Sequence, residues 1–289
     1  MGINIYKDLG KNVYILFIAK LINSLGYFVI PFLSLYLTDA LEIELIIVGI
    51  IVSCVNITSI PMTWIGSKLT LYFSKKLILI MSNLLSAVSY IMAAVCPRKI
   101  TSVIFIILGF GLSSIAVPAF DGYTGQVCKE NRKKQSFSLM YLGQNIGVAV
   151  GALIVGALYN LSHDAIFIVD ALSTIASVIL MIFLLDNDKN INEINTDSNE
   201  ISVYNNVDNS KVDKPSIIIN YRNMFYIVIL LYSLAYAQLF FVLPLYINYM
   251  DEIYGAQIYG ILITINAIGV VVLTPMITRV LNKFKASNS

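Results

Sequence analysis

Residues 165–185 read AIFIVDALSTIASVILMIFLL, and this stretch decides the fold. Asp170 is its only charged residue. A helix needs about 20 mostly apolar residues to cross the hydrocarbon core of a bilayer, and this run has that length. Seven further runs share the pattern, so the sequence predicts eight membrane-spanning helices. The predicted spans cover residues 12–37, 45–66, 77–96, 102–120, 138–159, 165–185, 224–248 and 256–280.

The composition agrees with a membrane protein. Of the 289 residues, 58% are hydrophobic and only 12% are charged, against about 25% charged in soluble domains. We therefore expect an all-α, polytopic transmembrane bundle. Residues 186–221 differ, because they are rich in Asn, Asp, Ser and Lys, which is typical of an aqueous linker. The predicted domains are a six-helix bundle over 1–185, a cytoplasmic linker over 186–221 and a partial two-helix bundle over 222–289.

Basic residues predict the orientation, since they concentrate in cytoplasmic connections. Among the 19 lysines and arginines, Lys20 and Lys68 lie within or at the edge of spans. Only Arg98 and Lys99 fall on the side away from the N-terminus. We expect both termini in the cytoplasm and the chain in the plasma membrane. The basic residues assigned to the cytoplasm are Lys7, Lys11, Lys75, Lys76, Lys129, Arg132, Lys133, Lys134, Lys189, Lys211, Lys214, Arg222, Arg279, Lys283 and Lys285.

The chain also repeats itself. YFVIPF at 27–32 resembles FFVLPL at 240–245, with prolines 213 positions apart. Gly49 and Gly260 begin a second similar segment, and Pro61-Met62 matches Pro275-Met276. The seventh span therefore restarts the first in the same orientation. Parallel repeats of this kind are one of the designs of secondary transporters.

Local motifs resemble the major facilitator superfamily. After its second helix that family carries GGxLADRxGRK, and residues 66–76 here read GSKLTLYFSKK. Gly66, Lys75 and Lys76 match. Leu71 and Tyr72 replace the acidic residue and its basic neighbour, so the charge contact of the family is absent.

The fifth span, with NIGVAVGALIVGAL at 145–158, resembles the glycine motif of the efflux branch, although Ala152 replaces its proline. Pro118 and Asp121 also fit that branch. The resemblance implies an antiporter that exports small molecules by alternating access, with a proton gradient as energy source and no cofactor. The helix-packing and gating candidates are Gly66, Lys75, Lys76, Asp121, Arg132, Gly147, Gly151 and Gly156. For the glycines, a plain packing groove and a hinge face between bundles are both open.

The family usually builds twelve helices, so four helices that would complete the substrate cavity are expected to be absent here. A truncated product, a fragment and one half of a split gene are equally compatible with this. The alternative function is therefore a remnant without independent transport, and a partner chain could supply the missing helices.

Other function classes find no support in the sequence. There is a single histidine, and HExxH, GxSxG and GxxxxGK[ST] are all missing, so we expect neither an enzyme nor an ATP-driven pump. No metal site is expected. The basic segment 129–134 lies in a short connection, where lipid contact explains it better than nucleic acid.

Charged residues inside spans are the sharpest functional signal, because each costs about 2.5–3.5 kcal/mol at the centre of a helix. Lys20 could snorkel back to the interface or face a cavity, where it would share a helix face with Asn23 and Tyr27. Asp170 is either a proton carrier or a structural acid. The further cavity candidates are Gln144, Asn145, Tyr236, Gln238 and Asn266, for which hydrogen bonds between helices are the alternative.

Overall fold

The computed structural model describes residues 6–96, 100–186 and 216–283, and its regular elements are helices. The predicted all-α transmembrane fold is confirmed, with eight helical stretches long and apolar enough to cross a bilayer among the described residues. The helices are α1 (Lys11–Ser24), α2 (Val29–Leu35), a π-helical turn (Tyr36–Ala40), α3 (Leu45–Tyr72), α4 (Lys75–Val95), α5 (Ile100–Val127), a 3-10 turn (Glu130–Arg132), α6 (Lys133–Tyr159), α7 (Ala165–Leu184), α8 (Ser216–Phe240), α9 (Val242–Met250) and α10 (Gly255–Lys283).

Eight spans are built from these ten helices. The first span contains α1, α2 and the π-helical turn, α3 to α7 form spans two to six, α8 and α9 form the seventh, and α10 forms the eighth. Helix α8 begins at Ser216, inside the range predicted as linker. The rest of that linker, from 187 to 215, lies outside the described residues, so its cytoplasmic location stays a prediction.

The first span is broken between Ser24 and Val29, a stretch that contains Gly26 and is followed closely by Pro31. Pro31 is the third residue of α2, a position in the first helical turn where its missing N–H has no intrahelical partner to lose. Gly26 allows close approach to span six, because a Cβ there would collide with the Ser173 hydroxyl and the Asp170 backbone. At the break, the first span is therefore in close contact with the sixth.

The seventh span is broken at the equivalent place. Helix α9 starts at Val242, 213 positions after Val29, and Pro244 is again the third residue. The N-cap residues also have similar φ, −116° at Phe28 and −114° at Phe241. The structure therefore supports the internal repeat that the sequence predicted.

Packing joins the two parts of the chain. Helix α1 packs on α6 and α7, α4 on α5 and α7, α3 on α5, and α10 on α6. An aromatic cluster connects the first six spans with the last two. The ring of Phe32 lies 5.7 Å from that of Tyr159 and 5.1 Å from that of Tyr259.

Basic side chains gather at the end of the bundle where α1 begins, which we call the N-terminal side. Lys75 donates to Gln126 Oε1 at 3.0 Å, and Lys76 donates to the carbonyl oxygen of Leu185 at 2.6 Å. These contacts place the start of α4 beside the ends of α5 and α7. Several residues used to predict orientation lie outside the described residues, namely Arg98, Lys99, Lys189, Lys211, Lys214 and Lys285.

Candidate functional site

A cavity of about 390 Å³ lies inside the first six spans. Every one of these spans contributes to its lining, through Lys20, Thr63, Asn83, Phe110, Gln144 and Asp170 respectively. The volume falls within the range of small-molecule sites, which is about 300–1,000 Å³. The bundle therefore contains a cavity of ligand size that is lined by both polar and apolar side chains.

One end of the cavity is acidic. Asp170 is only 8% exposed, and its Oδ1 accepts a hydrogen bond from Thr174 Oγ1 at 3.3 Å. Asn23 Nδ2 donates to the same Thr174 oxygen at 3.0 Å, so a hydrogen-bonded chain crosses from span one to span six. Tyr27 lies close enough to Asp170 to interact with it electrostatically, and its 45% exposure is at the cavity surface that it lines.

The other end of the cavity is cationic. The Lys20 ammonium lies 5.1 Å from the centre of the Phe120 ring, in cation–π range. Asp121 is the carboxylate that acts on it electrostatically, although no carboxylate among the described residues is within ion-pair distance of Lys20. Because Lys20 lines the cavity, the structure supports the cavity-facing interpretation over the snorkelling one.

A polar face of span three was missed in the sequence. Asn83, Ser86 and Tyr90 line the cavity and follow one another at helical spacing along α4. A search for polar residues at intervals of three and four inside the run 77–96 would have found them. Ser86 donates to the carbonyl oxygen of Gly109 at 2.8 Å, which ties this face to span four.

The structure brings together five of the nine predicted cavity residues and leaves four outside the lining. Lys20, Asn23, Tyr27, Gln144 and Asp170 line the cavity. Asn145 instead donates to the carbonyl oxygen of Tyr141 in its own helix at 2.8 Å.

The other three predicted residues lie on spans seven and eight. Tyr236 stacks its ring on that of Tyr232 at 5.7 Å, and it lies near enough to Tyr27 to interact electrostatically. Gln238 and Asn266 are exposed, and Gln238 lines a shallow apolar groove on span seven. Their roles stay predictions.

Comparison with known proteins identifies the family. The family model for the Major Facilitator Superfamily matches residues 16–288. The chain belongs to this superfamily. It is therefore a multi-pass membrane protein of a family of transporters rather than of enzymes.

Two similar proteins support this membership of the superfamily. An uncharacterized MFS-type transporter, YttB of Bacillus subtilis strain 168, is 28% identical over 185 residues, which are 64% of this chain and 43% of the relative. The chain thus matches less than half the length of that curated protein. A crystal structure of a POT family transporter in complex with a thioalcohol-conjugated peptide has a TM-score of 0.58 at 14% identity, over all of this chain and 74% of the other. At that identity it supports the fold alone.

In this superfamily member, the end of span two that precedes the loop to span three packs against span four. A Cβ on Gly66 would collide with the Ile115 carbonyl oxygen and come within 2.9 Å of Pro118 Cγ, so α3 and α5 touch there. Ser74 caps α4 by accepting from the Leu77 N–H at 3.1 Å. Between spans four and five, Arg132 closes the 3-10 turn through its N–H to the carbonyl oxygen of Lys129 at 2.9 Å.

The glycines of span five face two different partners. A Cβ on Gly147 or Gly151 would collide with the carbonyl oxygen of Leu21 or Leu25 in the first span. Gly156 instead faces span eight, where a Cβ would come within 3.4 Å of Gly260 Cα. Small residues therefore let span five approach both neighbours, and the contact of Gly156 with Gly260, which we call the glycine crossing, joins the two parts of the repeat.

Proposed function

We propose that the protein is a secondary active transporter that exports small molecules by alternating access in exchange for protons. The observation that carries this proposal is the cavity inside the first six spans, whose lining includes the charged side chains Asp170 and Lys20. Charged side chains within membrane spans mark substrate and ion pathways. Superfamily membership favours transport, and the similarity of the fifth span to the efflux branch favours export.

Asp170 is the proton carrier in this proposal. Its carboxylate is buried, receives a hydrogen bond from Thr174 and faces the cavity beside Tyr27. A carboxylate in such a place can alternate between a proton and a substrate group. The energy source is then the proton gradient of a plasma membrane, with the basic N-terminal side of the bundle in the cytoplasm.

The test is proton flux in proteoliposomes that contain a pH-sensitive dye. A panel of amines, carboxylic acids, amino acids and sugars is applied with and without an imposed pH gradient. At least one solute should move protons, and Asp170→Asn should abolish this coupling. Asp251→Asn is the matched control, because Asp251 caps a turn by accepting from the Ile253 and Tyr254 N–H groups outside the cavity. Equal coupling in Asp170→Asn and the unaltered chain contradicts the role of Asp170.

A second candidate is a chain that inserts in the membrane but does not transport alone. Gln238 and Asn266 are exposed on spans seven and eight, where lipid is a poor environment for polar side chains. Further helices, on this protein or a partner chain, would cover them. This candidate would be favoured if the chain alone moved no solute and flux appeared only after such a partner chain was added.

A further inference from the structure

Hydrogen-bond acceptors are present on several helices of the cavity wall. Six hydroxyl side chains that line it donate their protons to backbone carbonyl oxygens at distances from 2.6 to 3.5 Å. A hydroxyl that already donates retains only its lone pairs, which accept. These six residues are Ser59, Thr63, Ser86, Ser113, Ser114 and Ser177.

The amide side chains act in the same way. Asn23 Nδ2 donates to Thr174 and Asn83 Nδ2 donates to the carbonyl oxygen of Leu79 at 2.8 Å. Thr174 in turn donates to Asp170. Each of these bonds uses one donor within the protein, while the carbonyl and carboxylate oxygens of these side chains keep lone pairs that can accept. The acidic end of the cavity therefore suits a ligand group that brings several N–H donors and a positive charge.

The cationic end has the opposite character. Lys20 carries three N–H donors, and no hydrogen bond or ion pair holds them among the described residues, where the Phe120 ring is its nearest recorded partner. Asp121 acts on Lys20 from beyond ion-pair distance. An ammonium in a membrane span gains most from a direct anionic partner, and the cavity leaves room for one.

The spacing of the two ends limits the ligand. Thr174 faces Asn23, which is three residues beyond Lys20, and Asp170 is one helical turn beyond Thr174 in the antiparallel span. With a helical rise of about 1.5 Å per residue, the backbone positions of Lys20 and Asp170 are separated by roughly 10 Å along the bundle. A ligand whose two charged groups are several bonds apart fits this spacing.

From this arrangement we infer that the cavity binds an amphoteric small molecule, whose protonated amine contacts Asp170 and whose anionic group contacts Lys20, with several bonds between the two. Phe120, Tyr27 and Tyr90 supply apolar surface for the connecting part. The inference rests on the proposed transport function only because both concern the same cavity. It adds the substrate class, which the family does not specify.

Equilibrium binding tests it without any gradient. Purified full-length chain in detergent is dialysed against radiolabelled 6-aminohexanoate, with unlabelled hexanoate, hexylamine, glycine and 6-aminohexanoate as competitors. Unlabelled 6-aminohexanoate, which carries both an amine and a carboxylate, should compete at least tenfold better than hexanoate or hexylamine. Glycine should compete poorly, because its charges are too close together to reach both ends.

Variants then show which charged residue binds which group of the ligand. Lys20→Gln should reduce the affinity for 6-aminohexanoate to that for hexylamine. Asp170→Asn should reduce it to that for hexanoate. Lys20→Arg and Asp170→Glu keep the charges and should retain most binding, which separates lost charge from lost folding. Lys68→Gln is the matched control, since Lys68 lies 3.9 Å over the Trp64 ring and is exposed outside the cavity.

Three results would overturn the inference: no measurable binding of 6-aminohexanoate, equal competition by hexylamine, or undiminished binding of 6-aminohexanoate to Lys20→Gln. These outcomes leave the transport proposal to its own assay, because flux of some other solute could still occur. Conversely, selective binding without any flux would uphold the ligand class and contradict transport.

Discussion

At the scale of single residues, Thr174 connects the first and sixth spans. Its hydroxyl accepts from Asn23 Nδ2 at 3.0 Å and donates to Asp170 Oδ1 at 3.3 Å. It therefore sets the position of the carboxylate that the transport proposal requires. No other described side chain provides a hydrogen bond to Asp170 in the structure.

Replacement of this residue gives the first prediction. Thr174→Val keeps the shape but removes both hydrogen bonds, so we expect a loss of about 0.6–1.7 kcal/mol in the free energy of unfolding. Thr58→Val is the matched control, because Thr58 bonds only to Cys54 in its own helix. Thermal unfolding of both variants in detergent measures the difference. Equal melting temperatures would show that the chain from Asn23 to Asp170 contributes no stability.

At this scale, the sequence pointed to cavity-lining residues where a side chain was chemically unusual for its surroundings, and their roles stay predictions. Lys20 and Asp170 stand out because charges in apolar runs are rare, and both line the cavity. Ser177 and Ser86 could not be chosen in the same way, because hydroxyls in spans commonly bond to their own helix and only tertiary packing directs theirs to Ala19 and Gly109.

At the scale of elements, close approach of helices decides the position of the cavity wall. Span five lies against the first span because Gly147 and Gly151 leave space for the carbonyl oxygens of Leu21 and Leu25. The same two glycines were predicted as a packing or hinge face. The contacts support packing, and movement about this face stays a prediction.

Enlarging one of these glycines gives the second prediction. In Gly147→Ala the new methyl meets Leu21 and, at 2.7 Å, Ser24 Cβ, so overpacking should cost about 1–3 kcal/mol of stability. Gly125→Ala is the control, since nothing lies within 4 Å of a Cβ there, and it should gain up to about 1 kcal/mol. Unfolding monitored by circular dichroism compares them. A stable Gly147→Ala variant would show that these spans can separate at little cost.

The breaks in the first and seventh spans also belong to this scale. They coincide with the repeated segments YFVIPF and FFVLPL, each of which carries a proline that fixes its own φ. The exact helix ends could not be predicted from the sequence. Helix α3 runs to Tyr72 and α5 to Val127, beyond the apolar runs, because helical hydrogen bonds continue into the polar ends of spans.

At the scale of the whole molecule, basic residues collect on the N-terminal side of the bundle. Lys75 and Lys76 start α4 and contact the ends of α5 and α7. Lys133 starts α6 and so lies on the same side. The structure groups these residues, and the positive-inside rule predicts that their side is cytoplasmic.

Cysteine labelling tests this orientation and is the third prediction. In a chain whose three cysteines are replaced by serine, Lys75→Cys and Lys133→Cys should be protected from a membrane-impermeant maleimide in intact cells. Glu252→Cys, between α9 and α10, should react. Reaction at both lysine positions with protection at Glu252 would place the N-terminus outside. Different results at the two lysine positions would contradict the bundle itself.

The glycine crossing has one further consequence for the molecule as a whole. Where Gly156 meets Gly260, main chain touches main chain, and a Cβ on Gly260 would collide with the carbonyl oxygen of Ala152. Sliding one span along the other would push bulkier neighbours into this gap. We therefore predict that any relative motion of the two parts turns about this crossing instead of sliding along it.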